Sequence, residues 1–376
     1  MSLTGGLFFT LTLVLLLSTP IATLLLWPRV PGSRWRRLVA RLGLLLACQA
    51  TAVLAVLVSL NDSYGFYASW ADLAGTASTQ GDALTAIPLA AVQQDWRQPG
   101  GQPHLRLLHP TQPFQPYADG FRRTMLRGAA SRLRGEVDVW LPPQYHDPAY
   151  RNTEFPVLVL LHGIPGAPSD WVELMHVADH LRPAIASGKL PPFIVVVPTI
   201  WPQGHDTECS DTPGAKVATW LTQDVRSMVL NNFQATEAPT GWALLGYSTG
   251  GFCAAKLPIQ HPELFAAGVS LAGDDFAGDP TVLPSPALRE HNSPLWLLRH
   301  GQTPRIHLLL MGSRQDMADP VAYSEALRAA AHNTTTVVDA YYFHEGGHNQ
   351  ATWERMLPCI FRWLGRHVSP PGAVSV

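Results

Sequence analysis

Charge is what this sequence has least of. Only 14% of its 376 residues are Asp, Glu, Lys or Arg, against ~25% in an ordinary globular domain. A formal net charge of -2 offers no basic excess for phosphate backbones, which excludes nucleic acid as an expected partner. The four cysteines are Cys48, Cys209, Cys253 and Cys359. Their spacing fits neither a zinc site nor a dithiol redox motif. No internal repeat is visible. The length allows one large domain with additional segments.

The charge deficit has a location. From Gly5 to Trp27 no residue is ionisable, and such a run is long enough to cross a hydrocarbon core of ~30 Å. Pro20 falls inside it and is tolerable in a membrane helix. A second apolar run covers roughly Leu42 to Leu60. Between them lie Arg29, Arg34, Arg36, Arg37 and Arg41, and Asp62 is the first charge beyond the second run. Arginine concentrated in the connection places it on the cytoplasmic side, with the N-terminus and everything after residue 61 outside. The second run, with basic residues before it, also fits a processed signal segment.

Residues 1–61 therefore read as a two-helix membrane anchor. Residues 62–120 are rich in Gly, Pro, Gln, Ala and Ser without strand or helix period, and read as an extracytoplasmic linker, partly packed on the catalytic domain. Residues 121–368 read as that catalytic domain and 369–376 as a tail.

Within the catalytic domain, short apolar runs alternate with helix-like segments. Val137, Val139 and Leu141 mark an early antiparallel strand. Runs at 156–163, 192–200, 242–248, 266–273, 305–313 and 337–346 are near-continuous in apolar residues, as strands covered on both faces are. Helical segments fall at about 169–182, 216–232, 249–260, 320–331 and 350–366. This alternation implies an α/β fold with a mostly parallel central sheet flanked by helices. Sites in such sheets lie at the carboxyl ends of the strands.

The candidate chemistry falls there. Gly246-Tyr247-Ser248-Thr249-Gly250 fits the nucleophile elbow G-x-S-x-G, preceded by a strand and followed by a helix as the motif requires. The flanking glycines are needed because side chains would collide in so tight a turn. The partners of such a serine come later in the chain, in the order acid, then histidine. His348 lies in the turn Glu345-Gly346-Gly347 after the last strand and before the final helix, where a loop can deliver its ring. His344 competes but lies nearer the strand. Asp316 sits just past the strand at 305–313. Asp319 precedes Pro320 and reads as a helix cap. Asp274 and Asp275 remain outside candidates. His162-Gly163-Ile164-Pro165-Gly166 ends the first parallel strand, where small residues let a backbone N–H approach the substrate oxygen, and the N–H of Thr249, the residue after the nucleophile, is the second candidate oxyanion donor. His162 reads as structural.

With these residues in place, the domain resembles the esterase D and mycolyltransferase-like serine esterase family of the α/β-hydrolase superfamily. The resembling segments are VDVWLPPQY, FPVLVLLHGIPGAPSDW, TWLTQDV, LLGYSTGGFCAAKL, HLLLMGSRQD and HEGGHNQATW. The resemblance implies Ser248 as nucleophile, Asp316 as acid, His348 as base, and Ile164 and Thr249 as oxyanion donors. Trp353, soon after the histidine, fits the family pattern. The two N-terminal spans and Pro165 depart from it, and no residue marks a trehalose or mycolate site.

The expected activity is hydrolysis of carboxylic esters through an acyl-enzyme, with no cofactor and no metal. The expected partners are an ester substrate, lipid- or glycan-linked, and the bilayer. The alternatives are acyl transfer to a sugar or lipid hydroxyl, and a non-catalytic cell-envelope binding protein on the same fold. An extracytoplasmic domain permits disulfides. Cys209, in a polar loop, and Cys253, just after the elbow, are expected to pair.

Overall fold

The two apolar runs fold as helices α1 (Gly6–Leu26) and α2 (Arg34–Tyr64) in the computed structural model, which describes residues 2–83, 111–301, 303–318, 320–332 and 334–372. Both are long and apolar enough to cross a membrane. The arginine-rich connection is shorter than its sequence suggests, because Arg34, Arg36, Arg37 and Arg41 already belong to α2. Ser33 caps that helix by accepting from the Arg36 N–H. Gly65 ends it at φ +65°, and its N–H reaches the Asn61 carbonyl, the left-handed stop that glycine adopts without a Cβ penalty. Threonines join the two apolar surfaces: Thr19 Oγ1 lies 2.8 Å from Thr51 Oγ1, and Thr23 Oγ1 lies 3.1 Å from Cys48 Sγ.

The stretch after α2 is more ordered than a tether. The Asn61 side chain bonds both the N–H and the carbonyl of Tyr67. A short helix α3 (Trp70–Leu73) is capped by Ser69, and Trp70 meets Phe8 edge to face, ring centres 5.4 Å apart. Internal contacts group Met1–Ser78 with two short loops, Gln315–Ala318 and Glu345–Asn349. The remainder forms a second unit.

That second unit is built on one sheet. Its strands are β1 (Gly81–Ala83), β2 (Gln115–Pro116), β3 (Arg122–Arg127), β4 (Arg134–Trp140), β5 (Val157–Leu161), β6 (Ile194–Pro198), β7 (Trp242–Tyr247), β8 (Ala267–Leu271), β9 (His307–Ser313) and β10 (Val337–Phe343). Their order is β1-β10-β9-β8-β7-β5-β6-β4-β3-β2. From β6 to β10 all pairings are parallel. The edges β1, β2, β3 and β4 run antiparallel. Residues 62–120 read as a linker in sequence, yet β1 and β2 within that span are sheet strands; a two- or three-residue strand carries no readable period. Residues 84–110 of that linker lie outside the described residues.

The helices are α4 (Val177–Ala186), α5 (Val217–Thr219), α6 (Arg226–Asn232), α7 (Thr249–Gln260), α8 (Pro286–Asn292), α9 (Pro294–Arg299), α10 (Pro320–Ala331) and α11 (Gln350–His367). They cover both faces of the sheet, and β7 shows why its sequence reads as one apolar run. Ala243, Leu245 and Tyr247 join the core under α4 and α11. Trp242 and Leu244, facing the other way, join the core with Val225, Met228 and Val229. Alternate residues meet opposite faces, and both faces are buried. Burying Leu245 and Leu244 completely contributes roughly 2 kcal/mol apiece.

Candidate active site

Strand β7 delivers Ser248 at its carboxyl end. Ser248 has φ +53° and ψ -127°, a region a residue with Cβ enters only under strain. The surroundings hold it there. Its N–H donates to the Leu271 carbonyl at 2.9 Å, and its carbonyl accepts the Phe252 N–H at 3.0 Å. The glycines have a steric cause. A Cβ on Gly246 would stand 2.1 Å from the Gly250 carbonyl oxygen, and one on Gly250 would stand 2.3 Å from the Leu161 oxygen. The turn is therefore tight enough to leave Ser248 only partly covered while Tyr247 and Thr249 are buried.

Thr249 is the first residue of α7, so its N–H has no acceptor within the helix. The turn after β5 passes close to the elbow: a Cβ on Gly163 would meet the Ser248 Cβ at 3.1 Å. This brings the Ile164 segment beside Ser248. Three side chains fix that turn. His162 Nε2 accepts the Ile200 N–H at 3.1 Å, and its Nδ1–H donates to the Gly163 carbonyl at 2.7 Å. With one ring nitrogen accepting, the imidazole is neutral, and burial pushes its pKa down to about 4. His162 is thus a structural residue. Trp201 Nε1 donates to the Gly166 carbonyl at 2.8 Å. Asp170 accepts from the Ala167 N–H and from the Tyr247 hydroxyl, the latter at 2.8 Å. Burial raises the Tyr247 pKa well above its ordinary value, so this hydroxyl stays a donor. Tyr247 also lies between Trp353, stacked at 4.4 Å, and Trp171 at 5.3 Å. Asp170 and Trp171 close one of the segments that carry the resemblance, but the sequence assigns no role to them or to Trp201. Apart from the Ala167–Asp170 bond, their roles depend on contacts between distant segments, which leave no local pattern.

The loops that leave β9 and β10 carry Asp316 and His348. His348 Nδ1 stands 3.0 Å from Asp316 Oδ2 and 3.3 Å from Oδ1. Asp316 is almost fully buried, and its Oδ1 also accepts the Ala318 N–H at 3.0 Å. A carboxylate only accepts, so His348 Nδ1 carries a proton and donates to Asp316. The rivals are engaged elsewhere. His344 Nε2 lies 3.1 Å from Asp82 Oδ2 beside edge strand β1. Asp275 accepts the N–H of Ala277 and closes its own turn. Asp319 lies outside the described residues.

Cys209 and Cys253 form a disulfide. Beside it, Lys256 of α7 is completely buried. Its Nζ donates to the Glu208 carbonyl at 2.6 Å, the Ser210 hydroxyl at 2.8 Å and Asn292 Oδ1 at 3.3 Å. Burial lowers the Lys256 pKa and raises that of Glu208. Among the described residues no group of three or more His, Cys, Asp or Glu could hold a metal ion.

Known proteins share this architecture. A family model described as putative esterase matches residues 132–364, more than half of the chain. An uncharacterized protein of Corynebacterium glutamicum is 28% identical over 146 residues, covering 38% of this chain and 33% of that protein. The match thus spans about a third of the curated relative's length. Among solved structures, a ferulic acid esterase superposes with a TM-score of 0.57 at 18% identity, covering 67% of this chain and 99% of its own. An S-formylglutathione hydrolase from Agrobacterium tumefaciens gives 0.55 at 15%, covering 70% and 100%. Fluorophosphonate-binding serine hydrolase F of Staphylococcus aureus gives 0.51 at 16%, covering 67% and 99%. At such identities these likenesses show the shared α/β-hydrolase fold.

Proposed function

We propose, from the premise that this chain belongs to the putative esterase family, that Ser248, His348 and Asp316 work together as the triad of a membrane-anchored, extracytoplasmic carboxylic ester hydrolase. The observation that carries the reading is the pairing of His348 Nδ1 with the buried Asp316 carboxylate, in a chain whose one G-x-S-x-G elbow holds Ser248 at positive φ. That pairing fixes the histidine tautomer a serine hydrolase needs.

Those roles dictate the chemistry. His348 Nε2 takes the Ser248 proton as Oγ attacks the ester carbonyl, and Asp316 stabilises the imidazolium. The N–H groups of Ile164 and Thr249 receive the oxyanion. Collapse breaks the bond to the leaving alcohol, which takes the proton from His348, and leaves an ester on Ser248. Water, deprotonated by His348, attacks that ester and releases the acid and the free serine. A hydroxyl of a sugar or lipid in place of water would make the same site an acyltransferase; two helices long enough to cross a membrane favour keeping that second reading. Ester substrates attached to lipid or glycan fit such a location.

The orientation rests on Arg29, Arg34, Arg36, Arg37 and Arg41 in and before the first turns of α2. Their side is cytoplasmic by the positive-inside rule, which puts the catalytic domain outside. Protease digestion of spheroplasts checks this: the domain is degraded from outside if the reading holds, and is protected if it fails.

Labelling with a fluorophosphonate probe tests the chemistry. Wild-type protein takes the label and Ser248→Ala does not. Folded wild type that takes no label, or a labelled Ser248→Ala, would sink the assignment.

A further inference from the structure

The loop that carries His348 is poor in means to hold its own shape. Gly346 and Gly347 precede the histidine, and Gly346 has φ +133°. The Gly346 N–H donates to Gln315 Oε1 at 3.3 Å and the Asn349 N–H to the Gly347 carbonyl at 3.0 Å, and further backbone and side-chain bonds come from the segment immediately after α2. The Gly347 N–H donates to Asp72 Oδ2 at 2.8 Å, and Asn349 Nδ2 donates to the same oxygen at 3.1 Å and to the Phe66 carbonyl. The His348 N–H donates to the Gly65 carbonyl at 2.9 Å. Glu345 Oε2 accepts the Ser78 N–H at 2.8 Å. The acid's loop meets the same segment, with the Met317 side chain packed against Gly65.

Asp72 is 2% exposed. A carboxyl group so deep is costly to bury unless its oxygens are hydrogen-bonded. Oδ2 here takes three donors, the third being the Ala68 N–H at 3.1 Å. Two of the three donors flank His348 directly in the chain. Gly347 supplies an independent observation. A Cβ there would stand 2.3 Å from the Phe66 carbonyl oxygen and 2.9 Å from Asp72 Oδ2, so only glycine admits the approach.

We propose that Asp72 is a positioning residue for the general base: it and the Gly65–Ser78 strap set the backbone of the His348 loop. The segment emerging from the membrane anchor is then a working part of the catalytic apparatus. This rests on the triad reading above.

The test uses the full chain in detergent, with turnover of a p-nitrophenyl acyl ester and the rate of fluorophosphonate labelling as readouts. Misplacing a catalytic group by about 1 Å costs up to ~100-fold, so Asp72→Ala is expected to lower kcat and the labelling rate by roughly 10- to 100-fold, with KM within about threefold. Asp72→Asn is expected to recover most of the rate, because an amide oxygen can take the place of Oδ2; a role in bulk stability alone would lower the thermal midpoint and the fraction of chains that take the label at completion, and would leave kcat per labelled site unchanged. Gly347→Ala, acting from the other side of the contact, should lower kcat in the same way. If Asp72→Ala does not fold, Asn349→Ala carries the test and should still lower kcat. Folded Asp72→Ala or Asn349→Ala with an unchanged thermal midpoint and kcat within twofold of wild type overturns the proposal. Failure of the triad reading is distinct: there, Ser248→Ala would keep its turnover, or wild type would have none.

Discussion

His348 Nδ1 lies 3.0 Å from Asp316 Oδ2, with the aspartate side chain 1% exposed and the histidine 16%. The carboxylate thus holds a proton on Nδ1 and turns Nε2 away from itself. Asp316→Asn keeps the shape but offers an amide N–H where an acceptor is needed, which favours the wrong tautomer. The expected loss in kcat is on the order of 10³- to 10⁴-fold, with little change in thermal midpoint. Steady-state hydrolysis of an activated ester measures it; a loss under tenfold would remove Asp316 from the proposed triad.

The disulfide joins residues 44 apart in sequence. Closing a loop of that length removes denatured-chain entropy equivalent to about 4 kcal/mol. The Cys209→Ser/Cys253→Ser pair is expected to lower stability by roughly 2–4 kcal/mol. Because Cys253 begins the second turn of the elbow helix, the labelling of Ser248 should also become more temperature-sensitive. Thermal scans of both proteins, with and without reductant, check this. A reductant that leaves wild type unmoved at full reduction would refute it.

How much of this is legible in the sequence varies by element. The central parallel strands are, because a strand buried on both faces cannot avoid a continuous apolar run, as 242–247 shows. The elbow is, because Gly246 and Gly250 are forced by backbone contacts within a tight turn. Edge strands β1 and β2 are not, since strands so short leave no period. The strap is not either: Asp72 meets Gly347 across a separation of 275 residues, and in sequence it is one aspartate in a segment that resembles a linker. Asp170 and Trp201 are hidden for the same reason. Local sterics write a motif into the chain, whereas a hydrogen bond between distant loops writes a single polar residue.

Lys256 exemplifies a buried charge whose removal costs more than its presence contributes. Replacing it as Lys256→Met keeps the volume but abandons the Glu208 carbonyl, the Ser210 hydroxyl and Asn292. It also leaves the buried Glu208 carboxyl, its pKa already raised to about 7 by desolvation, without the cation opposite it. A loss of roughly 3 kcal/mol is expected. The Lys256→Met/Glu208→Gln double variant should lose less than the sum of the two single changes, because the charge is removed from both sides. Additive losses in a double-mutant cycle would show that the two groups do not interact.

His162 gives the fold an acid sensitivity whose sign can be worked out. Its pKa in the folded chain is held down to about 4 by burial, against ~6.5 in an unfolded chain. Above about pH 6.5 the ring is neutral in both states, and its packing against Ile200 and Gly163 contributes in full. Between about 6.5 and 4 the unfolded chain binds a proton that the folded chain refuses, so stability falls as pH falls. Below about 4 both states bind it, and the loss levels off at about 3 kcal/mol. His162→Gln can still accept from the Ile200 N–H and donate to the Gly163 carbonyl, but cannot titrate. It is expected to be somewhat less stable than wild type at pH 8 and to show a flatter fall in thermal midpoint between pH 6.5 and 4. Parallel curves for the two proteins across that window would mean that other groups carry the acid response and that His162 is not held neutral by the turn beside Ser248.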